Sequence, residues 1–339
     1  MTDLTGLGAT AAERLRPAAH PAWVEPMLAT LTEARFSDPG WLFERKLDGE
    51  RIVGFRRGAE VRLSFRKRQR LDGTYPELVD ALSAQVAEDF VVDGEVVAFE
   101  DGRTSFARLQ GRLGVTDAAR ARRSPIKVFY YLFDLMHLDG WDTTGLELRD
   151  RKTLLRQNLS FSDPLRLCAH RNTYGEAYLA EACRRGWEGV IAKRADAVYV
   201  GRRSAHWLKM KCSMAQELVI GGFTDPRGSR AGLGALLVGH YQDGRLRYAG
   251  KVGTGYSRDV LLDLRRRLDA LEEDQPALAD AESVRERGAH WVRPELVAQV
   301  AFTERTSGGK LRDPRYEGLR PDKAPFDVVR ERPTGMPRG

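Results

Sequence analysis

Cysteine is scarce in this sequence, and this scarcity limits the kinds of site that the chain can hold. Among 339 residues there are three cysteines, Cys168, Cys183 and Cys212, and no two of them form a Cys-x-x-Cys pair. An odd number of scattered cysteines argues against a disulfide framework and against a structural zinc site. We therefore expect three reduced cysteines that serve in packing.

Long apolar runs are lacking as well. No stretch approaches the roughly 18 continuous apolar residues that a membrane helix requires, so no membrane span is predicted. Residues 1–20 have no basic region followed by a long apolar stretch, which argues against a signal peptide. A cytoplasmic protein is the expectation. Metal-ligand spacing is missing from His137, His170, His206 and His240, and we assign these histidines no chemistry.

Positive charge is in excess. The chain has 55 lysines and arginines against 48 acidic residues, a formal net charge of +7. The basic residues crowd residues 56–70, 121–127 and 193–211, where apolar residues interrupt them. A polyanion is the natural partner, because lysines and arginines displace counterions from phosphates. Ordinary solubility charge is the alternative on net charge alone. Arg56 and Arg57 are expected to face the polyanion.

The length predicts about two domains, by the usual prior of roughly 150 residues each. From Trp41 to Lys211 short strands mix with helices without a regular βαβ rhythm, which favours an α+β fold. A helix is predicted over residues 75–86 and a buried strand within residues 126–140. Beyond Cys212, short glycine-rich strands with one helix favour a small β-barrel of the OB-fold kind.

The predicted domain boundaries follow from this change in composition and secondary-structure pattern. We expect a flexible N-terminus over residues 1–20, a first domain over 21–212, a barrel over 213–330 and a flexible tail over 331–339. The dipeptide Asp243-Gly244 predicts a hairpin turn within the barrel. Because no long Pro/Ser linker is present, the hinge between the two domains must be short.

The stretch LFERKLDGERIVGFRR places Lys46 between carboxylates and before an Asp-Gly pair. An amine is nucleophilic when neutral, so a lysine nucleophile needs a lowered pKa. Arg45 and Arg51 are the expected cause, and a turn at residues 48–49 would present Lys46 at the mouth of a hairpin. The alternative is a hairpin lysine in an ion pair with Glu44 or Glu50.

Four further stretches join carboxylates, lysines and glycines where strands should end. They are VVDGEVVAF with Glu95, EGVIAKR with Glu188, WLKMK with Lys209 and Lys211, and GLRPDK late in the chain. Carboxylates bind hard cations such as Mg²⁺, and lysines two apart on a strand share a face on which phosphate oxygens can bind. Together the stretches indicate a triphosphate site.

This ordered set resembles the covalent nucleotidyltransferases, the superfamily of ATP-dependent DNA ligases, RNA ligases and mRNA capping enzymes. The resemblance implies an α+β nucleotidyltransferase domain with ATP-grasp-like antiparallel sheets and helices, followed by an OB-fold. KLDGER is similar to the first motif, with Lys46 as the adenylated lysine, and Glu188 and Glu95 would hold the metal. The implied nucleotide contacts are Glu44, Leu47, Arg51, Arg66, Glu95, Phe133, Lys209, Lys211, Arg320, Asp322 and Lys323.

Some of these assignments have alternatives. Glu44 resembles an adenine-contacting acid, and a salt bridge to Arg45 or Arg51 is the other interpretation. Phe133 would stack on the purine or pack in the core. Arg66 is the implied phosphate contact, and Lys67, Arg68 and Arg70, which follow it closely, are alternative candidates for that role.

The opening PMLAT and the late segment AFTERTSGGKLRDPRYEGLRPDK most resemble bacterial ATP-dependent ligases, including the ligase module of end-joining proteins. This resemblance implies ATP, Mg²⁺ or Mn²⁺, a lysyl-AMP intermediate, and nicked or gapped double-stranded DNA as substrate. We expect a stand-alone monomeric repair ligase near the bacterial nucleoid, with an end-binding protein or a repair polymerase as candidate partners. An RNA ligase, a capping guanylyltransferase and a non-enzymatic DNA-binding scaffold remain the alternatives.

Overall fold

The computed structural model describes residues 3–66, 68–212, 214–226, 228, 231–284, 286–306 and 308–330. The chain divides between residues 212 and 213 into two compact units. Lys67 and the predicted tail, residues 331–339, lie outside the described residues. No helix in the described ranges is long and apolar enough to cross a membrane.

The first unit holds two sheets and six helices in its described residues. Its strands are β1 (Arg16–Pro17), β2 (Leu28–Leu31), β3 (Trp41–Lys46), β4 (Glu50–Arg57), β5 (Glu60–Ser64), β6 (Asp89–Glu100), β7 (Arg103–Thr104), β8 (Val128–Leu138), β9 (Trp141–Asp142), β10 (Leu165–Leu167), β11 (His170–Asn172), β12 (Gly189–Arg194) and β13 (Arg203–Lys211). Its helices are α1 (Ala9–Ala12), α2 (Pro76–Ser83), α3 (Phe106–Leu109), α4 (Ala118–Arg122), α5 (Leu148–Asn158) and α6 (Gly175–Arg184).

The larger sheet, which we call the first sheet, runs β1-β9-β8-β6-β4-β5, with β10 beside β8 and β7 beside β6. The strands β8 and β6 lie at its centre, as the dense apolar run predicted, because a strand covered on both faces needs apolar residues throughout. The strand β8 ends before a turn in which Asp139 and Gly140 have positive φ.

The second sheet runs β11-β3-β12-β13-β2. One face packs on α6 through residues such as Phe43, Val190 and Leu208. Because side chains alternate along a strand, Glu44, Lys46 and their cross-strand neighbours project from the other face. That face meets the first sheet, since Trp207 of β13 packs in one cluster with Val53 of β4 and Phe133 of β8. The polar residues of the two facing sheets are therefore brought together.

The N-terminal segment is ordered against the first sheet, whereas the sequence predicted a flexible end. Ala11 and Leu15 are buried in the main core, and β1 pairs with β9. Apolar residues spaced four apart supply this contact, and they were too few to predict it.

The prediction of three unpaired cysteines is wrong, because Cys183 and Cys212 form a disulfide. The two residues are 29 positions apart, at the end of α6 and just after β13. Their spacing gave no signal, since it is the packing of α6 on the second sheet that brings the sulfurs together. Cys168 is free and buried, as expected.

The second unit is a small β-rich domain around a separate core. Its strands are β14 (Met214–Thr224), β15 (Leu236–Gln242), β16 (Arg245–Val252), β17 (Glu272–Glu273), β18 (Ala289–Val292), β19 (Val297–Phe302), β20 (Glu304–Arg305), β21 (Leu311–Arg312) and β22 (Arg315–Leu319). The helix α7 (Arg258–Asp269) packs on the sheet, and short 3-10 helices cover Ala281–Ser283 and Pro325–Asp327. The predicted hairpin is confirmed, since Asp243 and Gly244 both have positive φ between β15 and β16.

Candidate active site

Lys46 lies at the end of β3, in a row of side chains that crosses three strands of the second sheet. The register pairs Lys46 with Gly189 of β12, and Gly189 with Lys211 of β13. The next row pairs Glu44 with Ile191, and Ile191 with Lys209. Two adjacent rows therefore carry one carboxylate and three amines on the face that meets the first sheet.

Gly189 is required where it stands between the two lysines. Its φ is +151°, and a Cβ at this position would lie 2.1 Å from the carbonyl oxygen of Met210. A side chain would therefore separate β12 from β13 and displace the row that holds Lys46 and Lys211.

The amine of Lys46 contacts the carboxylate of Glu188, with Nζ 2.6 Å from Oε2. Both side chains are 19% exposed, so the pair is largely shielded from water. Burial disfavours the charged amine, but the carboxylates of Glu188 and Glu95 outweigh burial and raise the pKa of Lys46 above its usual value. The expectation that Arg45 and Arg51 lower this pKa is wrong, since Arg45 donates to Thr104 and Arg51 to Asp93.

The chain between Lys46 and Glu50 crosses from one sheet to the other, so the predicted hairpin is wrong. β3 belongs to the second sheet and β4 to the first sheet. The crossing is fixed because the Phe106 backbone N–H donates to Asp48 at 3.1 Å. Gly49 allows it, since a Cβ there would lie 2.2 Å from the Val96 carbonyl oxygen. An Asp-Gly pair predicts a turn but cannot reveal that its two strands belong to different sheets.

Glu44 is buried between two lysines, and neither predicted arginine partner contacts it. Its carboxylate lies 2.6 Å from Nζ of Lys152 and 2.8 Å from Nζ of Lys193. All three residues are at most 3% exposed. Burial favours the neutral acid, but the two lysines outweigh it and lower the pKa of Glu44. Burial and the charge of Lys152 lower the pKa of Lys193. We call these residues the buried charge triad.

Phe133 and Trp207 lie beside the buried charge triad, and we call these two rings the aromatic wall. The Lys193 amine lies 4.0 Å from the ring centroids of both Phe133 and Trp207. A desolvated cation over two aromatic faces is stabilised by the ring quadrupoles. Phe133 itself is 8% exposed and packs edge-on against Trp207, so its ring is part of the core.

Arg51 projects from β4 of the first sheet and is held by the carboxylate of Asp93 and the carbonyl of Met27. Its guanidinium donates to the carboxylate of Asp93 at 3.0 and 2.5 Å and to the Met27 carbonyl at 2.6 Å. Tyr199 donates its hydroxyl to Asp93 at 2.7 Å. Burial opposes the charge of Arg51, but Asp93 outweighs burial and raises the pKa. These hydrogen bonds fix the plane of the guanidinium.

Glu95 lies on β6 directly beside Arg51, with which it is paired in the β4–β6 register. Because residues two apart share a face, Glu95 projects from the same face as Asp93, toward the second sheet. Its influence on the pKa of Lys46 places its charge near the amine.

Leu47 and Arg66 are the remaining predicted contacts of the first unit. Leu47 is 9% exposed, between Lys46 and the crossing to the first sheet. Arg66 is about one-third exposed, with Nε 3.5 Å from a Glu25 carboxylate oxygen. Arg56 is buried and donates to the carbonyls of Leu82 and Ala87, so the expectation that it faces a polyanion is wrong.

The late motif lies in the second unit. Arg320 donates to both oxygens of Asp322, at 2.9 and 2.8 Å, and both residues are under 10% exposed. Burial favours the neutral acid, but Arg320 and Lys323 outweigh it and lower the pKa of Asp322. Lys323 also lies 3.5 Å from Glu217 of β14.

Sequence reasoning missed Lys152 and Tyr199. Lys152 lies on the buried face of α5, four residues after Leu148 and three before Leu155. A charged residue at an apolar helix position was the available signal, because such a charge must find a buried partner. Tyr199 lies in an irregular segment, and no pattern marks it.

Two family profiles match the chain. The profile described as ATP dependent DNA ligase domain matches residues 26–211, which is more than half of the chain. The profile described as ATP dependent DNA ligase C terminal region matches residues 229–323. The two matches lie on either side of the division between the two units.

Bacterial relatives align over nearly the whole chain. The multifunctional non-homologous end joining protein LigD of Pseudomonas aeruginosa is 38% identical over 324 residues, which cover 94% of this chain and 38% of that protein. A probable DNA ligase of Sorangium cellulosum is 34% identical over 344 residues, covering 95% of this chain and 61% of the relative. The chain thus spans about two fifths of the length of the LigD relatives it matches.

Among solved structures, a mycobacterial DNA ligase D complexed with ATP and MES is similar to this chain with a TM-score of 0.63. The two are 35% identical, and the similarity covers 91% of this chain and 98% of the other. These comparisons confirm the predicted fold class, a nucleotidyltransferase domain followed by an OB-fold-like domain. With both profiles matched in order and a homologous structure covered almost completely, the chain belongs to the family of ATP-dependent DNA ligases.

Proposed function

We propose that this chain seals nicks between a 3′-hydroxyl and a 5′-phosphate in double-stranded DNA, with Lys46 as the nucleophile that takes AMP from ATP. The observation that carries the proposal is the contact of the Lys46 amine with Glu188 at 2.6 Å, beside Glu95 and in one row with Lys211. A nucleophilic amine, two carboxylates and further amines on facing sheets are the groups that an adenylation reaction needs.

In this proposal three displacements at phosphorus follow one another. The Lys46 nitrogen attacks the α-phosphate of ATP, pyrophosphate leaves, and AMP remains on the lysine through a P–N bond. The 5′-phosphate at the nick then attacks this AMP and releases the lysine. Finally the 3′-hydroxyl attacks the adenylated 5′-phosphate, AMP leaves and the strand is sealed. The protein contributes by positioning groups and balancing charge.

The resting state of Lys46 bears on the first displacement. The amine must lose a proton before it can attack, and its pairing with Glu188 favours the protonated form, so this pairing opposes the attack. The carboxylates of Glu188 and Glu95 fit a hard cation, since Mg²⁺ and Mn²⁺ prefer oxygen ligands. When bound there, such a cation would supply positive charge that weakens the attraction of Glu188 for the Lys46 ammonium, favours loss of the amine's proton and balances phosphate charge.

Other residues of the first unit would bind the nucleotide. Lys209 and Lys211 would bind phosphate oxygens from the second sheet. Arg51, held rigid by Asp93, would donate from the first sheet. The buried charge triad and the aromatic wall would hold the purine side of the cleft. The parts that the late motif's resemblance gives to Arg320, Asp322 and Lys323 stay predictions.

A repair role is part of the proposal. The end-joining names of the LigD relatives support double-strand break repair, with an end-binding protein or a repair polymerase as candidate partners. DNA binding should fall steeply with salt and show little base preference, because phosphate contacts carry little sequence information.

The test is an adenylation assay on the purified chain with labelled ATP and Mg²⁺, followed by sealing of labelled nicked DNA. The expected result is a covalent adduct that Lys46→Ala abolishes and Lys127→Ala, a change at an exposed lysine, leaves intact. An adduct formed with GTP instead would favour a capping-type enzyme, and sealing of nicked RNA alone would favour an RNA ligase. An adduct that persists in Lys46→Ala would overturn the proposal.

A further inference from the structure

Three potential metal ligands meet at one end of the first sheet, away from the buried charge triad. His20 follows β1, Asp89 begins β6 and His137 lies near the end of β8. Nδ1 of His20 lies 2.6 Å from Oδ1 of Asp89, and Nε2 of His137 lies 3.3 Å from the same oxygen. All three ligand atoms lie within 4.8 Å of one another. We call these residues the His-Asp-His cluster.

One buried nitrogen of this cluster makes no hydrogen bond to any described residue. The His137 side chain is 1% exposed, and its Nε2 has no hydrogen-bond partner among the described residues. Asp89 is near enough to attract this nitrogen but does not meet it in hydrogen-bond geometry. Because a buried polar atom without a partner costs free energy, an atom of this kind calls for an explanation such as a bound ion.

The two separations from Asp89 are close to those around a tetrahedral metal. Zinc binds histidine nitrogen and carboxylate oxygen at about 2.0–2.2 Å, which places ligand atoms about 3.3 Å apart in a tetrahedron. The separation between His137 and Asp89 already has this value. The contact between His20 and Asp89 would lengthen by less than an ångström, and His20 lies in an irregular segment that can adjust.

A cavity adjoins the cluster at His137 and has room for water. It encloses about 360 Å³ and is lined by His137, by Ala19 and Pro21 on either side of His20, and by Asp142. Water entering from this cavity could complete the coordination of an ion held by three protein ligands, the arrangement that zinc adopts at open sites.

We propose that the His-Asp-His cluster binds one divalent transition-metal ion, zinc in the first instance. The ion fastens the segment after β1 to the ends of β6 and β8. That segment leads to Met27, whose carbonyl accepts a hydrogen bond from Arg51. The site is therefore a structural one that supports the segment beside Arg51, and it is separate from the carboxylates of Glu95 and Glu188.

The test measures zinc binding by the full chain after chelator treatment, using equilibrium dialysis and elemental analysis. The wild-type chain is expected to bind one zinc ion that His20→Ala and Asp89→Asn lose. The affinity should fall by more than about 100-fold, since even the outer-shell partners of metal ligands contribute about 10–100-fold. His206→Ala changes an exposed histidine and should retain the ion.

Two controls separate this site from others. Glu188→Gln removes a carboxylate of the proposed nucleotide site and should leave the tight zinc ion in place. Cobalt bound to the wild-type chain should show the visible absorption of a tetrahedral centre, which His20→Ala should abolish. Circular dichroism of the two ligand variants checks that each remains folded.

The proposal is overturned if the folded wild-type chain binds no zinc, which would leave a purely hydrogen-bonded cluster. It is equally overturned if His20→Ala and His206→Ala bind zinc with the same affinity. Zinc lost in Glu188→Gln but kept in His20→Ala would assign the ion to the nucleotide site instead. These outcomes concern binding alone, so they are independent of whether the chain seals DNA.

Discussion

The buried charge triad makes Glu44→Gln a sharp test of the structure. Glutamine has nearly the shape of glutamate but no charge, so the change leaves Lys152 and Lys193 buried beside each other without a counterion. If Glu44 served only to contact adenine, the same change would alter the KM for ATP and leave the stability of the ligand-free protein unaffected.

The expected magnitude follows from burial. Removing one partner of a buried ion pair costs about 3–5 kcal/mol, because it leaves an uncompensated charge in a poorly solvated site. A unit of this size shifts its melting temperature by about 2–4 °C per kcal/mol, so Tm should fall by about 6–20 °C. Five of the six tryptophans lie before residue 213, so tryptophan fluorescence reports chiefly on the first unit.

The loss should depend on pH in a defined direction. In wild type the pKa of Lys193 already lies below its usual value, and without Glu44 it should lie lower still. Between its folded pKa and its unfolded pKa near 10.5, the unfolded chain binds more protons, so the free energy of unfolding rises with pH. The defect of Glu44→Gln should therefore be largest below the folded pKa and shrink as the buffer becomes alkaline.

Two further variants check the cause. Adding Lys152→Met to Glu44→Gln removes one of the two uncompensated charges and should recover part of the lost stability. Glu60→Gln, at an exposed position on β5, should change the free energy of unfolding by less than about 0.5 kcal/mol. A Tm for Glu44→Gln equal to that of Glu60→Gln would refute the assignment of the triad as a buried, charged unit.

The remaining predictions concern other contacts. Glu188→Gln should lower the pKa of Lys46 in protein without added nucleotide. An amine reagent should therefore label Lys46 faster in the variant than in wild type at mildly alkaline pH, with Lys127 as the reference lysine. Equal labelling of Lys46 in the two proteins would contradict the ion pair. Gly189→Ala should lower the free energy of unfolding by more than about 1 kcal/mol and slow adenylation, because φ at this position is +151° and the added Cβ would meet the Met210 carbonyl oxygen. The control is Gly8→Ala, since a Cβ at Gly8 meets no atom within 4 Å. Asp322→Asn leaves Arg320 buried without its carboxylate and should cost the second unit about 3–5 kcal/mol at neutral pH in a denaturant titration. Because the folded pKa of Asp322 is lowered, wild type loses this stabilisation as pH falls from about 3.8 through that pKa, and the variant should lack this part of the acid dependence.

Much of the fold could be predicted because local patterns reflect local physics. The apolar run of β8 marked the centre of a sheet, and Asp243-Gly244 marked a hairpin, since φ and burial are imposed within a few residues. The helix predicted over residues 75–86 is present as α2, somewhat shorter. The OB-fold-like unit followed from short strands and glycines, a composition typical of small barrels.

The sequence named Lys46, Glu95 and Glu188 as members of one site, and the structure brings them together, but their contacts could not be predicted. Lys46, Glu95 and Glu188 were named from their motifs, yet the partners of Glu44 were assigned wrongly. Arg45 and Arg51 are near Glu44 in sequence, whereas Lys152 and Lys193 reach it from α5 and β12. The same limit applies to the sulfurs of Cys183 and Cys212 and to the His-Asp-His cluster, whose members come from distant segments.

The sequence by itself determined which chemistry is possible, because the reactivity of an amine, a carboxylate or a guanidinium belongs to the residue, and ordered motifs identified the family. It also determined which side chains share a strand face, since that alternation is a property of the backbone. Only the tertiary structure decided that Lys46 ends a strand of one sheet while Arg51 belongs to another. The tertiary structure alone also decided that Glu188 lies against the Lys46 amine and raises its pKa. The physical reason is that a pKa depends on burial and on charges within a few ångströms, and those neighbours are chosen by the packing of two sheets rather than by order along the chain.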